Sequence, residues 1–549
     1  MNKTARTRAA GSPKSSAQAE FLKFCEIRNG VLVRYYGKAT EVVIPENVTT
    51  ISRDAFRGNR RLEKLVLSKT VSSIHNSAFR DCVSLSTVVF AAGLRYIDES
   101  AFRKCTALKS VLLPGTLHSI GNKAFRGCTS LHHVTLPASL EHMGEYAFAN
   151  CPALEEIQLP QSLAVIGNGA FLNCTALKSV TFPQHLTTVG RYAFSTCPHL
   201  TEALLPDTVG YIGTGAFCSC RSLTSFRIPP SVRFIADYTF ADCLNLQSIE
   251  IQGSITHIGG NAFCGCVHLE TIDLPETVAH IGDAAFLNCS SLGQISIPSA
   301  TTEIGRRAFA FCAHLKQVNL NAQIRVLDEE TFLGCFSLAS LSLPDSIEKI
   351  SDRALHRCIS LSSVHIPRNL SELGESAFMD CKKLQTVSLP TTLKRIEDRA
   401  FEGCSSLHTV LLPDCHTSIG RSVFACCTEL NLLVVPDASL LFRHRRERWE
   451  VPKTTQIILH GELKLALLFA ELADASTTSE RKQEIRAIIR KQTARMKKRN
   501  HLHSTAPIRR NLSHAVQAIG EQLESAPKGD GQGYEDTPPP RETEDTRPV

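Results

Sequence analysis

The sequence contains no run of 18 uncharged apolar residues, which is about the length that a membrane-spanning helix requires. Its first 24 residues, MNKTARTRAAGSPKSSAQAEFLKF, lack the apolar segment of a secretory signal peptide. It also lacks a glycine-rich phosphate loop, an HExxH motif and a GxSxG motif, and its 20 histidines are scattered. We therefore expect no transmembrane span, no export by the Sec route, no catalytic residue and no cofactor.

The middle of the chain carries little net charge. The formal charge of the whole chain is +7, yet residues 25–440 hold 35 basic and 37 acidic side chains. Residues 441–524 hold 17 basic and nine acidic side chains, and residues 1–24 hold five basic and one acidic. We therefore expect salt-sensitive binding of polyanions to depend on the flanks rather than on the middle.

What the sequence does have is one 23-residue pattern, repeated without insertion or deletion. Phe171 marks one copy, and sixteen of seventeen copies hold Phe at this position, with Leu355 in the other. Three residues later Cys occurs in sixteen copies, with Asn59 in the first, and six residues later Leu is invariant. One copy alone buries too little apolar surface to fold, so the copies must stack and each column must form a continuous core. The sequence thus predicts a repeat solenoid of seventeen 23-residue turns.

Each copy contains two segments with the pattern of a strand. LxxVxLP, as in Leu131–Pro137, alternates inward and outward side chains and predicts a strand of a parallel sheet. Thirteen copies end this segment in Pro, at a point where no ladder N–H is needed. The LxxIG segment predicts a shorter strand, and the xxAFxxC segment after it predicts a short helical turn.

Sixteen of the 21 cysteines lie in one column of the repeat, which indicates a structural role. A buried free thiol suits this column better than a disulfide, because Asn59 is accepted in the same position. Reduced thiols point to the cytoplasm. Pairs such as Cys264 and Cys266 follow from the repeat itself, so we predict no metal site.

The composition changes along the chain predict five regions. Residues 1–24 are expected to be disordered, as either a tail without a role or an acid-poor targeting leader. Residues 25–45 are predicted to form an N-terminal cap, with a hairpin over Phe21–Tyr36, and residues 46–442 the solenoid. Residues 443–524 are predicted to be a basic helical region, whose apolar side chains at 463–472 would cover the last turn, and residues 525–549 a disordered tail.

The repeat LPxxLxxIGxxAFxxCxxLxxVxLP, spelled by Leu159–Pro183, resembles the BspA-like or Treponema-type class of leucine-rich repeats. The resemblance implies a leucine-rich-repeat solenoid of the α/β horseshoe type, with a parallel sheet on its concave face and a role in binding proteins. Members of this class are often cell-surface or secreted adhesins of bacteria and of some parasitic protists. This chain shows no signal peptide, sorting motif or anchor.

The strand side chains that point outward form the predicted binding face. They lie seven, eight and ten residues after the Phe column, and ten of the seventeen at the eighth position are Ser or Thr. These hydroxyls are explained either by a solvated strand or by a protein-binding groove. At the tenth position the middle copies are polar and the end copies apolar, and the predicted partner-binding residues are Gln158, Arg227, Glu250, Asp273, Asn319 and His365.

A second feature is a row of arginines directly after the Phe column, at Arg57, Arg80, Arg103 and Arg126. Two interpretations are open: solvated surface arginines inherited by duplication, or a site for an acidic partner or a polyanion. The predicted basic helix from Glu480 to Arg499 is either a solvated helix or a site that binds a polyanion such as nucleic acid, an anionic membrane or a calmodulin-like protein.

These observations predict a scaffold that binds another protein, performs no reaction and resides in the cytoplasm. One alternative is a surface or secreted adhesin, or a protein translocated without a Sec signal peptide. Another is an enzyme or effector whose chemistry lies in residues 441–524, a segment that contains no cysteine.

Overall fold

The computed structural model describes residues 21–413, 417–436 and 446–460, and the helical positions 481, 484, 487, 488 and 491. The described residues fall into two compact units. One contains residues 21–433 and 446–456, and the other contains residues 434–436, 457–460 and the helical positions. Of the predicted helix Glu480–Arg499 only these helical positions are described. The predicted tail 525–549, the side chains at 463–472 and residues 1–20 lie outside the described residues.

The long strands lie within the LxxVxLP segments. Neighbouring long strands pair in parallel at a register offset of 23 residues, as Glu156 does with Ser179. The copy of Phe194 has no long strand, so residues 201–205 interrupt the ladder. The long strands are Glu41–Val43, Lys64–Val66, Thr87–Val89, Ser110–Leu112, His133–Thr135, Glu156–Gln158, Ser179–Thr181, Ser225–Ile228, Ser248–Ile251, Thr271–Ile272, Gln294–Ile297, Gln317–Leu320, Ser340–Ser342, Ser363–His365, Thr386–Ser388, Thr409–Leu411 and Leu432–Val435.

Short strands of two residues lie within the LxxIG segments, one in every copy, and confirm the predicted second strand. They pair in parallel at the same offset, as Val165 does with Thr188. The short strands are Thr50–Ile51, Ser73–Ile74, Tyr96–Ile97, Ser119–Ile120, His142–Met143, Val165–Ile166, Thr188–Val189, Tyr211–Ile212, Phe234–Ile235, His257–Ile258, His280–Ile281, Glu303–Ile304, Val326–Leu327, Lys349–Ile350, Glu372–Leu373, Arg395–Ile396 and Ser418–Ile419.

The predicted helical turn at xxAFxxC is wrong. We call the segment from three residues before to three residues after the Phe column the Phe arc. In every copy the residues two before and two after the Phe column have a positive φ, such as Ser77 at 58° and Asp81 at 62°. An α-helix cannot continue through such left-handed residues.

Hydrogen bonds in the Phe arc alternate between two directions. Every second N–H bonds within its own copy, and each N–H between them bonds to the next copy. In the second copy, the N–H groups of Ala78, Arg80 and Cys82 donate to the carbonyls of His75, Ser77 and Phe79 in the same copy. The N–H groups of Ser77, Phe79 and Asp81 donate to the carbonyls of Glu99, Ala101 and Arg103 in the next copy. The Phe arc is therefore a third ladder between copies, and it meets the backbone's hydrogen-bonding needs without a helix.

The core consists of the predicted columns. Consecutive Phe rings stack at centroid distances of 4.8 to 6.1 Å wherever both copies hold Phe. The Leu column six residues later is fully buried, as at Leu177 and Leu223. The predicted repeat solenoid is confirmed, with about 18 turns of about 23 residues, although helices are nearly absent from the described residues.

The cysteine column is buried, as predicted, and each thiol has a defined partner. Each of the sixteen Sγ atoms donates to the backbone carbonyl 26 residues earlier, which belongs to the preceding copy's Phe or to Leu355, at 3.1 to 3.3 Å. Burial raises the pKa of these thiols, for Cys151 from 9.0 to about 12. The first copy has no Phe before it, and there Asn59 Oδ1 accepts the N–H groups of Arg61 and Leu62 instead.

The N-terminal end of the solenoid is covered by a hairpin. Strand Cys25–Arg28 pairs antiparallel with Val31–Tyr35, and the intervening Asn29 and Gly30 both have a positive φ, as a tight hairpin loop requires. The Tyr35 ring stacks between Phe21 and Phe56, at 5.5 and 4.9 Å. Since Phe21 is buried, the described structure already includes an ordered residue three positions before residue 24, the predicted end of the disordered segment.

The last copy is completed by residues that were predicted to belong to the basic helical region. Helix Arg446–Trp449 lies beside the last Phe arc. There the Ser422 and Phe424 N–H groups, which would otherwise face a further copy, donate to the Arg448 and Trp449 carbonyls at 2.7 and 3.1 Å. The Trp449 side chain is fully buried. Residues 446–456 therefore belong with the solenoid.

Candidate functional site

The outward side chains of the long strands form one surface, which we call the strand face. In strand Glu156–Gln158 the two end residues are exposed, whereas Ile157 between them is buried, and most other long strands repeat this alternation, although Leu432–Val435 is entirely buried. Because each copy adds one strand at the same register, the positions seven, eight and ten residues after the Phe column become three parallel columns.

Five of the six predicted partner-binding residues are exposed on the strand face: Gln158, Glu250, Asp273, Asn319 and His365. Arg227 differs. Its side chain is half-buried, forms an ion pair with Asp207, and donates to the Leu205 carbonyl at 3.4 Å. It therefore contacts the copy that lacks a long strand, and its charge is already matched within the chain.

Local contacts hold several of the exposed side chains in place. Asn319 Nδ2 donates to Ser296 Oγ at 3.1 Å, and Gln252 donates to Glu250 at 2.9 Å. His365 Nε2 lies 3.7 Å from an Asp345 carboxylate oxygen. Hydrogen bonding from the Arg368 backbone N–H lowers the pKa of Asp345, which favours its charged form.

Two leucines stand out on the strand face: the sequence interpretation counted Leu112 among the apolar end copies and missed Leu204, which lies among the polar middle copies. Leu112 is 70% exposed and Leu204 is 71% exposed, more than any other large hydrophobic side chain described. Both lie ten residues after the Phe column, four copies apart, with Thr135, Gln158 and Thr181 between them. The signal was present in the sequence, because that column points outward in every strand.

The four predicted anion-binding arginines lie side by side in successive Phe arcs, and we call them the arginine row. Arg57 is exposed, whereas Arg80, Arg103 and Arg126 are half-buried. The Phe rings that precede these arginines are 4.8 to 5.3 Å apart. Like charges about 5 Å apart repel by about 3 kcal/mol at an effective dielectric constant of about 20. Burial, and then the charges of Arg80 and Arg126, lower the pKa of Arg103.

Within the described ranges, no group of three His, Cys, Asp or Glu side chains is arranged to hold a metal ion. Cys266 is one of the buried column thiols and Cys264 is half-buried beside it. The described helices are all too short or too polar to cross a membrane.

Several solved structures resemble this chain. A leucine-rich repeat protein from Bacteroides ovatus is 24% identical, covering 78% of this chain and 94% of its own, with a TM-score of 0.43. The leucine-rich repeat protein of T. pallidum is 31% identical over 33% of this chain and 89% of its own, with a TM-score of 0.32. A leucine-rich cell surface protein from Faecalibacterium prausnitzii is 19% identical, covering 78% and 93%, with a TM-score of 0.23.

No protein of curated function shows significant sequence similarity to the chain. The family model described as BspA type leucine rich repeat region (6 copies) matches residues 33–151, 107–224, 210–338 and 325–440. These matches overlap and together span residues 33–440, which include every Phe arc and every long strand described above. The chain therefore belongs to the BspA-type leucine-rich repeat family.

Proposed function

We propose that this solenoid is a binding scaffold without catalytic activity, and that its strand face binds another protein. The exposure of Leu112 and Leu204, 70% and 71%, carries the proposal. Burying such a side chain contributes about 2 kcal/mol, and protein interfaces are typically centred on apolar anchors with polar side chains around them. The polar side chains between the two leucines fit this arrangement.

The usual size of an interface decides how far the partner extends. A standard interface uses about 20 to 30 residues on each side. Each copy offers three outward side chains, so a partner of ordinary size covers about eight copies. Starting at Leu112, eight copies end at Asp273 and include Gln158 and Glu250. Asn319 and His365 then lie outside the main contact.

To test this, the wild-type chain and its variants are immobilised, and the proteins that each of them captures from a lysate of the source cells are compared. The variant Leu112→Ser/Leu204→Ser and the variant Glu250→Lys/Asp273→Lys should each lose the same captured protein. The variant Val83→Ser/Ile359→Ser should retain it, because these two side chains are 37% exposed but lie outside the strand face. Arg227 is left unchanged, since its ion pair with Asp207 gives its substitution a structural effect.

Capture that is unchanged in both strand-face variants would rule out the strand face as the binding surface. Each variant should melt within about 1 °C of the wild-type protein, because exposed side chains contribute little to stability.

We also propose that the protein resides in the cytoplasm, with translocation by a route without a Sec signal peptide as the alternative. The cysteine column supports this location. While the chain folds, its 21 thiols are exposed, and in an oxidising compartment they would form disulfides before burial. Mass spectrometry after alkylation in the intact cell should find Cys82 to Cys427 unpaired. Disulfides between neighbouring copies would contradict both the reduced state and the location.

A further inference from the structure

The position directly after the Phe column is ordinarily occupied by a small or apolar side chain. In the thirteen later copies it is buried or half-buried; eleven of them hold a small or apolar residue there, such as Ala149, Leu172 and Leu333, and the other two hold His356 and Glu402. Only the first four copies place arginine there. A guanidinium in a half-buried position loses hydration, and four in a row also repel one another, so this substitution opposes stability unless something compensates.

The surrounding residues add to this charge instead of balancing it. Between two residues before and five residues after the Phe column, the first four copies hold eight basic and two acidic side chains. The next four copies hold Arg221 as their one basic side chain and no acidic one. Among the first eight copies, the positive charge of this segment is therefore concentrated in the first four.

Hydrogen-bonding capacity in the arginine row is unused. The Nε atoms of Arg80 and Arg103 are buried, and neither has a hydrogen-bond partner among the described residues. Asp81 lies 3.4 Å from Arg80 Nε, and no described carboxylate is within ion-pairing distance of Arg103. Buried donors without acceptors are rare in proteins and indicate a missing partner.

The backbone prevents the row from spreading apart. The N–H groups of Gly58, Asp81 and Lys104 donate to the carbonyls of Arg80, Arg103 and Arg126, each at 2.8 Å. The four arginines therefore stay in register. At its C-terminal end the row is bounded by Tyr146, whose ring lies 5.6 Å from the Arg126 guanidinium.

At the other end, the row opens into a cleft of about 480 Å³ between the hairpin and the first copy. Arg34, Lys38, Arg57 and Arg61 line this cleft, together with Asp54. Asp54 lies 3.4 Å from the Arg57 guanidinium and is the one carboxylate in the lining. The cleft continues the basic surface past Arg57.

We propose that the arginine row and this cleft bind a linear oligophosphate, that is, an anion with several phosphoryl groups joined in a chain. The guanidinium fork matches phosphate oxygens in a bidentate arrangement, and each phosphoryl group supplies acceptors to more than one arginine. Bound oxygens would supply the acceptor that Arg103 Nε lacks, and would bond Arg80 Nε more closely than the Asp81 carboxylate at 3.4 Å does.

The spacing of the row favours phosphate over carboxylate. Four copies span about 15 Å at about 4.8 Å for each step. An extended acidic peptide presents side chains on one face only every 6.6 to 6.8 Å or so, which places about three carboxylates along the row, one fewer than its arginines. A chain of phosphoryl groups carries a charge on every group and therefore matches four arginines more closely.

The test uses the full chain, with tripolyphosphate as the probe and isothermal titration calorimetry and thermal melting as the measurements, at low salt. Tripolyphosphate should bind and raise the melting temperature, and orthophosphate should bind far more weakly. The variant Arg80→Leu/Arg103→Leu should bind tripolyphosphate at least tenfold more weakly. Leucine occupies the same position at Leu172, Leu287 and Leu333, so this variant should fold and melt no lower than wild type.

A matched control, Arg233→Leu/Lys316→Leu, removes the same charge from exposed positions elsewhere and should bind as wild type does. The proposal is overturned if tripolyphosphate does not bind, or if the arginine variant binds as tightly as the control variant. It is also overturned if polyglutamate binds the row as tightly, which would indicate an acidic protein, or if a single-stranded oligonucleotide binds it more tightly, which would indicate a nucleic acid. A marked loss of stability in the leucine variant would show that the arginines are structural.

Discussion

At the scale of single residues, each column of the repeat meets one physical requirement. The Phe carbonyl has two lone pairs: one accepts the N–H of its own copy's cysteine, and the other accepts the thiol of the next copy, as Phe217 does from Cys220 and Cys243. Cysteine fits because it is small and apolar and yet still donates one hydrogen bond.

The buried thiols of the cysteine column predict a steep loss of stability at alkaline pH. Burial raises the pKa of Cys151 and Cys197 from 9.0 to about 12, so these thiols stay neutral in the folded state. Above pH 9 the unfolded chain ionises its thiols and is stabilised, so stability is full below pH 9 and falls as the pH rises toward 12. Each thiol contributes about 1.4 kcal/mol for each pH unit in this range. Melting curves should show a much lower melting temperature at pH 10 than at pH 8, and equal temperatures would contradict the buried thiol column.

The Phe column predicts a large cost for one deletion at mid-array. Phe240 is fully buried and stacks on Phe217 and Phe263 at 5.9 and 5.5 Å. Phe240→Ala should lower the free energy of unfolding by about 3 to 5 kcal/mol, whereas Leu204→Ala, at an exposed position, should change it by less than about 0.5 kcal/mol. Denaturant unfolding measures both, and a change under half a kcal/mol for Phe240→Ala would argue against a stacked core.

At the scale of elements, the Phe arc is held by bonds to another copy instead of by a helix. Its two left-handed residues turn alternate N–H groups toward the next copy. In an α-helix all of these groups would point along the same chain segment. The side chains allowed at these two positions are therefore limited by φ and not by helix propensity.

This limit can be tested at Asn288, an exposed residue with φ at 61°. A β-branched side chain in this conformation costs about 1 to 2 kcal/mol, whereas glycine adopts it freely. Asn288→Val should therefore destabilise the protein by that amount, and Asn288→Gly should change it by less than about 0.5 kcal/mol. If valine were tolerated as well as glycine, the left-handed arc would be the wrong description of this segment.

At the scale of the whole solenoid unit, the invariant period makes one copy replaceable by the next. Every ladder joins residues 23 positions apart, so removing 23 residues brings equivalent positions together. Stability in such an array is approximately a sum over copies and their interfaces.

Deletion of residues 264–286 should therefore leave a folded protein with a cooperative melt, since Phe263 is then followed by Leu287 in correct register. Deletion of residues 264–283, only three residues shorter, shifts every later column out of register. It should give a protein that melts much lower or in separate steps. Circular dichroism melting curves distinguish the two, and equal behaviour would contradict a strict 23-residue ladder.

The sequence alone determined the period, the number of copies, the strands and the buried columns. It could do so because an uninterrupted repeat forces identical side chains to stack, so one copy predicts all the others. Leu177, Phe171 and Cys174 are buried for this reason alone. The outward columns followed from the same alternation, although the predicted partner-binding residues on them remain predictions.

Tertiary structure decided what depends on a neighbour in another copy, 20 or more residues away along the chain. The left-handed Phe arc, the ion pair of Arg227, the partial burial of the arginine row and the closure of the last copy by Trp449 are of this kind. A local pattern such as xxAFxxC is compatible with a helix as long as its N–H groups have no other acceptors. Only the adjacent copy supplies those acceptors, and its carbonyls, rather than local propensity, fix the conformation of the segment.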